Sequence, residues 1–255
     1  MATLSAAQYM LVYNVFSFTI AAMFAAFIFF IGARSQVGQK YRPALLVSSL
    51  VVAIACYHYF RIFNSWEAAY NLVNGEYQPS GKPFNDAYRY VDWLLTVPLL
   101  LIELVAVLAL PKSENEGLFG KLAIAAFLMI GLGYPGEIAN DTTTRAIWGT
   151  LSTIPFAYIL FILWGKLGAT MGKQPPYVRV LMTNIRLLLI ATWGFYPITY
   201  LIPMLGIQKE SSILGIQVGY AVCDVLAKAF YGVMIYWIAR AKSEADGSLP
   251  ELAHA

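Results

Sequence analysis

Apolar residues form long, nearly uninterrupted runs in this chain, and polar residues gather in the short stretches between them. The first 33 residues contain no Asp, Glu, Lys or Arg, and their apolar stretch is longer than the core of a signal peptide. A helix needs about 20 mainly apolar residues to cross a bilayer. Seven runs meet that length, and we predict that each one is a transmembrane helix. They are 9–33, 43–63, 86–110, 118–139, 144–168, 178–205 and 212–239.

One connection between these runs has local structure of its own. Within residues 64–85, Asn74-Gly75 stands between Tyr70–Val73 and Glu76-Tyr77. Asn and Gly tolerate the positive φ angles of a type I′ turn, so this pattern favours two short antiparallel strands. The sequence therefore predicts an all-α membrane protein whose loop between helices 2 and 3 carries a small β-hairpin.

Basic residues are divided unequally between the two ends of the predicted helices. Ten of them lie in connections 1–2, 3–4 and 5–6 or near the C-terminus, and five lie on the other side. The ten are Arg34, Lys40, Arg42, Lys112, Lys121, Lys166, Lys173, Arg179, Arg240 and Lys242, and the five are Arg61, Lys82, Arg89, Arg145 and Lys209. The positive-inside rule then predicts an N-terminus outside and a C-terminus in the cytoplasm. We expect one domain over residues 1–255, with a short disordered tail after about residue 243.

Composition narrows the possible functions. The chain is 59% hydrophobic and 12% charged, whereas soluble domains carry about 25% charged residues. Its net charge of +3 is too small an excess to indicate a nucleic-acid partner. Cys56 and Cys223 both lie in apolar runs, without the spacing of a disulfide framework or a metal site.

Ionisable residues inside the apolar runs are the candidate functional groups, because charge at membrane depth is costly and usually functional. Asp224 and Lys228 are one helical turn apart in the seventh run. In the third run Asp92 and Thr96 are one turn apart, and Glu103 lies roughly 16 Å along the same face from Asp92. This pattern indicates proton or ion handling. A structural ion network is the alternative, but it leaves Glu103 without a basic partner. A desolvated lysine is also a candidate for imine formation with an aldehyde.

The motifs around these residues resemble those of the microbial (type 1) rhodopsins, and more narrowly the proteorhodopsin and xanthorhodopsin branch. The similarity covers essentially the whole chain. The motifs are Arg89-Tyr-Val-Asp92-Trp93-Leu-Leu-Thr96-Val-Pro98-Leu, Asp224-Val-Leu-Ala-Lys228, Trp193-Gly-Phe-Tyr196-Pro197-Ile-Thr-Tyr200 and Gly133-Tyr134-Pro-Gly136-Glu137.

This resemblance implies all-trans retinal bound to Lys228 as a protonated Schiff base. It also implies that Asp92 is the counterion and proton acceptor, that Asp224 is the second counterion, and that Glu103 is the cytoplasmic proton donor. The Asp92–Thr96–Glu103 triplet is the pattern of the family's proton pumps. A chloride pump would lack the acceptor carboxylate, and a sodium pump would have Asn, Asp and Gln at these positions.

The resemblance assigns further roles around these carboxyl groups. Arg89 would balance the charge of the second counterion, and His58 would be the hydrogen-bond partner of Asp92, although a satisfied core histidine is the alternative. In this branch, a leucine at the position of Leu100 accompanies absorption of green light. The aromatic residues of the motifs would form a slot for the retinal polyene, and the alternative is that they are ordinary aromatic core. The residues of the implied retinal slot are Trp93, Leu100, Trp193, Tyr196, Pro197 and Tyr200.

Gly149 is a further point of resemblance. Xanthorhodopsin-like members have Gly at the matching position, where most proteorhodopsins have a bulky aromatic residue. That glycine would open a lateral window through which a hydroxylated carotenoid antenna lies against the retinal ring. Close packing of helices is the alternative explanation.

The predicted function is therefore a light-driven outward proton pump, and not an enzyme, in a bacterial plasma membrane. Contact with lipid and a homo-oligomer, either trimer or pentamer, are also implied. A sensory photoreceptor with the same chromophore is an alternative that Glu103 argues against, and a retinal-free transporter or scaffold is another. Glu137 remains open between loop anchoring and proton release, and Arg186 is expected to extend its side chain towards the membrane surface.

Overall fold

The protein is a bundle of helices with a small sheet at one end. The computed structural model describes residues 1–108, 117–172 and 174–250, except for the side chains of Leu108 and Leu167. Seven of the helical segments described there are long and apolar enough to cross a membrane, which confirms the predicted number. Most of the connection Pro111–Gly117, including Lys112, lies outside the described residues, as does Lys173.

The seven spans follow the predicted apolar runs closely. Short 3-10 turns at Arg34–Gln36, Gln39–Tyr41 and Ile202–Met204 flank three of them. The seventh span contains a π-helix at Val225–Phe230. The spans are α1 Ala6–Ala33, α2 Arg42–Ala69, α3 Ala87–Leu108, α4 Leu118–Glu137, α5 Thr142–Met171, α6 Pro176–Leu201 and α7 Lys209–Ala245.

Side-chain caps define where two of these helices begin. Ser5 accepts a hydrogen bond from the Gln8 backbone, and the Gln8 side chain accepts one from the Ser5 backbone, which is a capping box at the start of α1. Asp141 caps α5 by accepting a hydrogen bond of 2.7 Å from the backbone N–H of Thr144. These caps satisfy backbone donors that have no partner inside the helix.

The predicted hairpin is present. Strands β2 Tyr70–Val73 and β3 Glu76–Pro79 pair antiparallel. Asn74 and Gly75 have φ angles of 51° and 83°, as a type I′ turn requires. The sequence analysis missed a third strand, β1 Leu4–Ser5, which pairs with β3. A strand of two residues carries no periodic signal, and its pairing depends on where α1 begins.

Side-chain contacts join the C-terminal end of α7 to the turn before α2. Span α7 continues to Ala245, and Asp246 then accepts hydrogen bonds from Lys40 at 2.7 Å and from Tyr41 at 2.6 Å. The hydroxyl of Ser243 accepts a hydrogen bond from the backbone N–H of Gly38 at 2.8 Å. Residues 243–248 thus contact the rest of the bundle, and residues 251–255 of the predicted disordered tail lie outside the described part.

The bundle has apolar side chains on its surface and ionisable side chains in its interior, the reverse of a soluble protein. Large apolar side chains face outwards, for example Phe161 at 76% and Ile154 at 65% exposure. Ionisable side chains lie inside, where each is at most 2% exposed: Arg89, Asp92, Glu103, Asp224 and Lys228. This distribution suits a chain surrounded by lipid, with its charged groups facing the bundle interior.

Candidate functional site

Lys228 is the centre of a buried ion cluster. Its Nζ atom lies 2.8 Å from Oδ1 of Asp224 and also contacts Oδ2 of Asp92. Asp92 belongs to α3, whereas Asp224 and Lys228 belong to α7. Two carboxylates around one ammonium group provide the pairing that a buried cation requires.

The backbone at this lysine departs from a regular α-helix. Residues Val225–Phe230 form a π-helix that begins directly after Asp224 and includes Lys228. Such single π turns occur frequently at functional sites in other proteins. The predicted shared face of Asp224 and Lys228 is observed, but on a widened turn that no spacing rule indicates.

Asp224 also accepts hydrogen bonds from three aromatic side chains. The hydroxyls of Tyr59 and Tyr196 each donate to it at 2.6 Å, and the indole N–H of Trp93 donates at 3.1 Å. These donors come from α2, α6 and α3. Together with Lys228 they stabilise a charged carboxylate. Sequence analysis missed Tyr59; the signal that could have found it is a phenol inside a transmembrane run, since a buried hydroxyl needs a partner.

Asp92 has fewer hydrogen bonds. Thr96 donates to the backbone oxygen of Asp92 at 2.9 Å and not to its carboxylate. Nδ1 of His58 is 3.7 Å from Oδ1 of Asp92, but lies closer, at 2.9 Å, to the backbone oxygen of Ile54. His58 is therefore beside Asp92, as expected, while the direct hydrogen bond is made to the backbone instead. Oδ1 of Asp92 accepts no hydrogen bond from the described residues.

Glu103 has a different environment at the other end of α3. Its side chain is fully buried, and neither carboxyl oxygen has a hydrogen-bond partner among the described residues. Ser48 of α2 lies nearby, but its hydroxyl donates to the backbone oxygen of Ala44 at 3.1 Å. A carboxylate anion in such surroundings would be strongly disfavoured relative to the protonated acid.

Arg89 lies between the ion cluster and the end of the bundle that carries the hairpin loop. It donates to Asp86 at 3.0 Å and to Gln217 at 2.5 Å. No ion pair joins it to Asp224 in the described part of the chain. The sequence analysis expected Arg89 to balance that counterion and missed Asp86, whose side chain is 39% exposed.

Glu137 is part of a second buried ion pair at the same end. Its carboxylate is 3.0 Å from the guanidinium of Arg145, and the hydroxyls of Tyr220 and Tyr90 donate to it at 3.2 and 3.5 Å. Arg145 also donates to the backbone oxygen of Glu137 at 2.8 Å. These bonds close the turn between α4 and α5, which favours the anchoring interpretation of Glu137.

A cavity of about 130 Å³ extends from Lys228 between α3, α4, α5 and α6. Most of its lining is aromatic or aliphatic, so its chemistry suits a flat apolar chain. All the residues of the expected retinal slot line it: Trp93, Leu100, Trp193, Tyr196, Pro197 and Tyr200. Gly149 lines it as well. The cavity therefore joins Lys228 to the aromatic segment of α6.

The family model described as bacteriorhodopsin-like protein matches residues 10–242 of this chain. The chain is a microbial rhodopsin. Green-light absorbing proteorhodopsin of Gamma-proteobacterium EBAC31A08 is 29% identical over 222 residues, covering 86% of this rhodopsin and 82% of that protein. Bacteriorhodopsin of Halobacterium salinarum (strain ATCC 700922 / JCM 11081 / NRC-1) is 30% identical over 194 residues, covering 74% and 68%.

A solved structure extends the similarity of this rhodopsin to nearly its full length. Xanthorhodopsin, described as a light-driven ion pump with dual chromophore, matches it with a TM-score of 0.92 and 59% identity. That match covers 97% of this rhodopsin and 99% of xanthorhodopsin. These relatives place the chain among the light-driven ion pumps whose family uses a retinal chromophore.

The structure gives Gly149 of this rhodopsin a specific packing role. A Cβ atom at this position would lie 2.6 Å from Cε1 of Tyr200. Tyr200 is fixed there, because its hydroxyl donates to the backbone oxygen of Arg145 at 2.7 Å. Any side chain at 149 must displace the Tyr200 ring, so the glycine permits the close approach of α5 and α6. The lateral window remains a prediction.

Proposed function

We propose that this rhodopsin is a light-driven outward proton pump. The observation that carries the proposal is the contrast between two buried carboxyl groups on α3. Asp92 contacts Lys228 Nζ directly, whereas Glu103 is isolated from every cation among the described residues. One group is placed to receive a proton and the other to hold one in reserve.

The lining of the cavity fits retinal, and Lys228 is the residue that would hold it. When bound there as a protonated Schiff base, retinal would supply light absorption and a change in the proton affinity of the lysine nitrogen. Trp93, Trp193 and Tyr196 would hold the polyene between flat faces. The protein itself then has to receive, release and return one proton.

Asp92 is the proton acceptor in this proposal. Its Oδ2 is in contact with the lysine nitrogen, so transfer requires no intermediate group. Asp224 is a poorer acceptor because Tyr59 and Tyr196 donate two short hydrogen bonds that stabilise its anion. Asp224 therefore remains the permanent counterion.

The outward path runs through Arg89 to Asp86. Arg89 is 2% exposed, and its ion-pair partner Asp86 reaches the surface at 39% exposure. The distribution of ten basic residues against five supports an orientation with this end of the bundle outside the cell. Glu103 then lies on the cytoplasmic side, and it returns a proton to the lysine nitrogen before it is reprotonated from the cytoplasm.

Light-driven acidification tests the proposal. Cells that hold the retinal-bound protein in weakly buffered salt should acidify the medium on illumination, and a protonophore should abolish the signal. Lys228→Ala should give a colourless protein and no signal. A signal that persists or grows with protonophore would identify another transported ion and reject proton pumping.

We also propose that a hydroxylated carotenoid binds outside the cavity, beside Gly149 and Tyr200. Similarity to the dual-chromophore xanthorhodopsin and the absence of a side chain at Gly149 support it. Added carotenoid should contribute structured blue bands to the excitation spectrum for pumping. Gly149→Phe should remove these bands and keep green-driven pumping. Blue bands that survive in Gly149→Phe would leave Gly149 as a packing residue only.

A further inference from the structure

Acidic residues are absent from a long part of this rhodopsin. Between Asp141 and Glu210 the sequence has no Asp or Glu, although it includes all of α5 and α6. The basic residues in this stretch are Arg145, Lys166, Lys173, Arg179, Arg186 and Lys209. Arg145 pairs with Glu137 of α4, but Lys166, Arg179 and Arg186 form no ion pair with any described residue. Any anion near these cations has to come from outside the helices that carry them.

Arg186 of α6 has the most unusual surroundings of the three. Its guanidinium carbon lies 3.6 Å from the centroid of the Trp164 ring on α5. Among the described residues its hydrogen-bond acceptor is the thioether sulfur of Met171, at 3.4 Å, and thioethers are weak acceptors. Its Nε atom is buried without a partner. The guanidinium thus carries five N–H donors beside an aromatic ring, and most of these donors have no acceptor among the described residues.

The position of Arg186 along α6 brings this group near the membrane surface. Arg186 precedes Trp193, which lines the cavity, by seven residues, or roughly 10 Å of helix. Half the hydrocarbon thickness is about 15 Å, and an arginine side chain extends further towards the surface. Its guanidinium is directed towards Met171, the last residue of α5. Trp164 is 45% exposed, as aromatic residues at a membrane interface commonly are.

We propose that Arg186, held on the ring of Trp164, binds the phosphate of an anionic phospholipid in the cytoplasmic leaflet. The planar guanidinium suits bidentate pairing with phosphate oxygens. Basic pockets between transmembrane helices on the cytoplasmic side commonly bind such headgroups. Phe161 at 76% and Leu187 at 56% exposure offer apolar surface for the acyl chains. The choice of leaflet rests on the proposed orientation, whereas the binding itself does not depend on pumping.

The competing explanation is that Arg186 only joins α5 to α6 through its contact with Trp164. Cation–π contacts stabilise helix pairs without any ligand. That explanation predicts no preference among lipids, so a direct measurement of lipid selectivity separates the two. Arg179 provides a matched control, because it is an exposed arginine in the first turns of the same helix.

The test uses the full-length retinal-bound protein in the dark, with native mass spectrometry after addition of phosphatidylglycerol and phosphatidylcholine in equal amounts. Wild type and Arg179→Gln should retain phosphatidylglycerol preferentially. Arg186→Gln should lose about fivefold of that preference, the effect of one interfacial basic residue. Inorganic phosphate alone should neither bind with comparable strength nor displace the lipid. Dark binding is independent of transport, so its failure and the failure of proton pumping are separate results.

Three results would overturn the proposal: wild type without lipid preference, Arg186→Gln with unchanged preference, or free phosphate binding as strongly as the lipid. Wild type also provides a measurement that needs no variant, should Arg186→Gln fail to fold. A photo-crosslinkable phosphatidylglycerol should label the helix segments around Trp164 and Arg186. Labelling confined to other helices would reject the site.

Discussion

Asp92 and Glu103 make an instructive comparison, because they lie on one helix, are at most 1% exposed and differ completely in their surroundings. Asp92 contacts Lys228 and lies near His58. Glu103 has no hydrogen-bond partner among the described residues. Helix α3 places both carboxyl groups, but α2 and α7 determine what each can do. Neighbouring helices thus give two similar acids opposite surroundings.

The same contrast extends to the two halves of the bundle. On the side of Asp92, Arg89 pairs with Asp86, and Glu137 pairs with Arg145 and accepts a hydrogen bond from Tyr220. On the side of Glu103, neither carboxyl oxygen of that residue has a hydrogen-bond partner among the described residues. Hydrogen-bonded polar groups suit the proton release that the pumping proposal assigns to the side of Asp92, and an acid without hydrogen-bond partners suits the proposed role of Glu103 as a proton reserve.

The largest expected effect comes from removing the charge of Asp92. Asp92→Asn keeps the shape but leaves Lys228 with one counterion, so light-driven acidification should fall to zero. The absorption band should move to the red, because the cation loses an anion that stabilises its ground state. Absorption spectra and pH measurements on illuminated vesicles check both effects. Full pumping by Asp92→Asn would remove Asp92 as the acceptor.

The next effect concerns the isolated acid. Glu103→Gln should leave the absorption spectrum and the outward release of the proton unchanged. It should slow the return of a proton to the lysine nitrogen by about 10²–10⁴-fold, which is the usual contribution of a positioned acid to a rate. Flash photolysis measures this rate directly. Glu137→Gln is the matched control, since Glu137 anchors the α4–α5 turn and should leave the rate of return unchanged. Equal slowing in both variants would mean that Glu103 has no special role.

A smaller effect is expected at Asp86, at the end of the bundle that carries the hairpin loop. Asp86→Asn removes the ion pair of Arg89 but leaves its bond to Gln217. Partly exposed pairs contribute up to about 1 kcal/mol, so proton release should slow by no more than about fivefold. A pH-sensitive dye outside illuminated vesicles measures the release. Complete loss of release would show that Asp86 is required for the transfer itself.

Features that depend on one segment of sequence were predictable. Seven apolar runs specify seven spans, and Asn74-Gly75 specifies the hairpin. Spacing along α3 also correctly places Asp92 and Glu103 in the bundle interior. Each of these features is decided by residues within a few turns of one another.

Features that depend on contacts between helices were not predictable. Tyr59 donates a hydrogen bond to Asp224, which is 165 residues away in the sequence. Arg89 donates hydrogen bonds to Asp86 and Gln217 and not to Asp224. The π turn at Lys228 has no periodic signal either. Packing geometry decides these partners, and a single sequence contains no direct measure of it. The resemblance to rhodopsins named candidate site residues, but the one hydrogen bond that it implied, between His58 and Asp92, is replaced by a bond from His58 to the backbone oxygen of Ile54.

The smallest expected effect is at the end of the bundle opposite the hairpin loop, where Asp246 joins the end of α7 to the turn before α2. Partial burial acts to raise the pKa of Asp246, but hydrogen bonds from Lys40 and Tyr41 outweigh it and hold the pKa below its ordinary value. The bonded anion therefore stabilises the fold at neutral pH, and that contribution is lost as the pH falls through the lowered pKa.

Asp246→Asn should slightly lower the melting temperature of the protein at neutral pH, measured as the loss of its visible absorption band on heating. The difference from wild type should persist down to about pH 4, the ordinary range of an aspartate, and vanish below it. High salt should shrink the difference, because the pair is partly exposed. A difference that stays constant through acidic pH would show that the loss of stability comes from packing and not from charge. A changed rate of proton return in Asp246→Asn would show that this surface contact also affects the proposed role of Glu103.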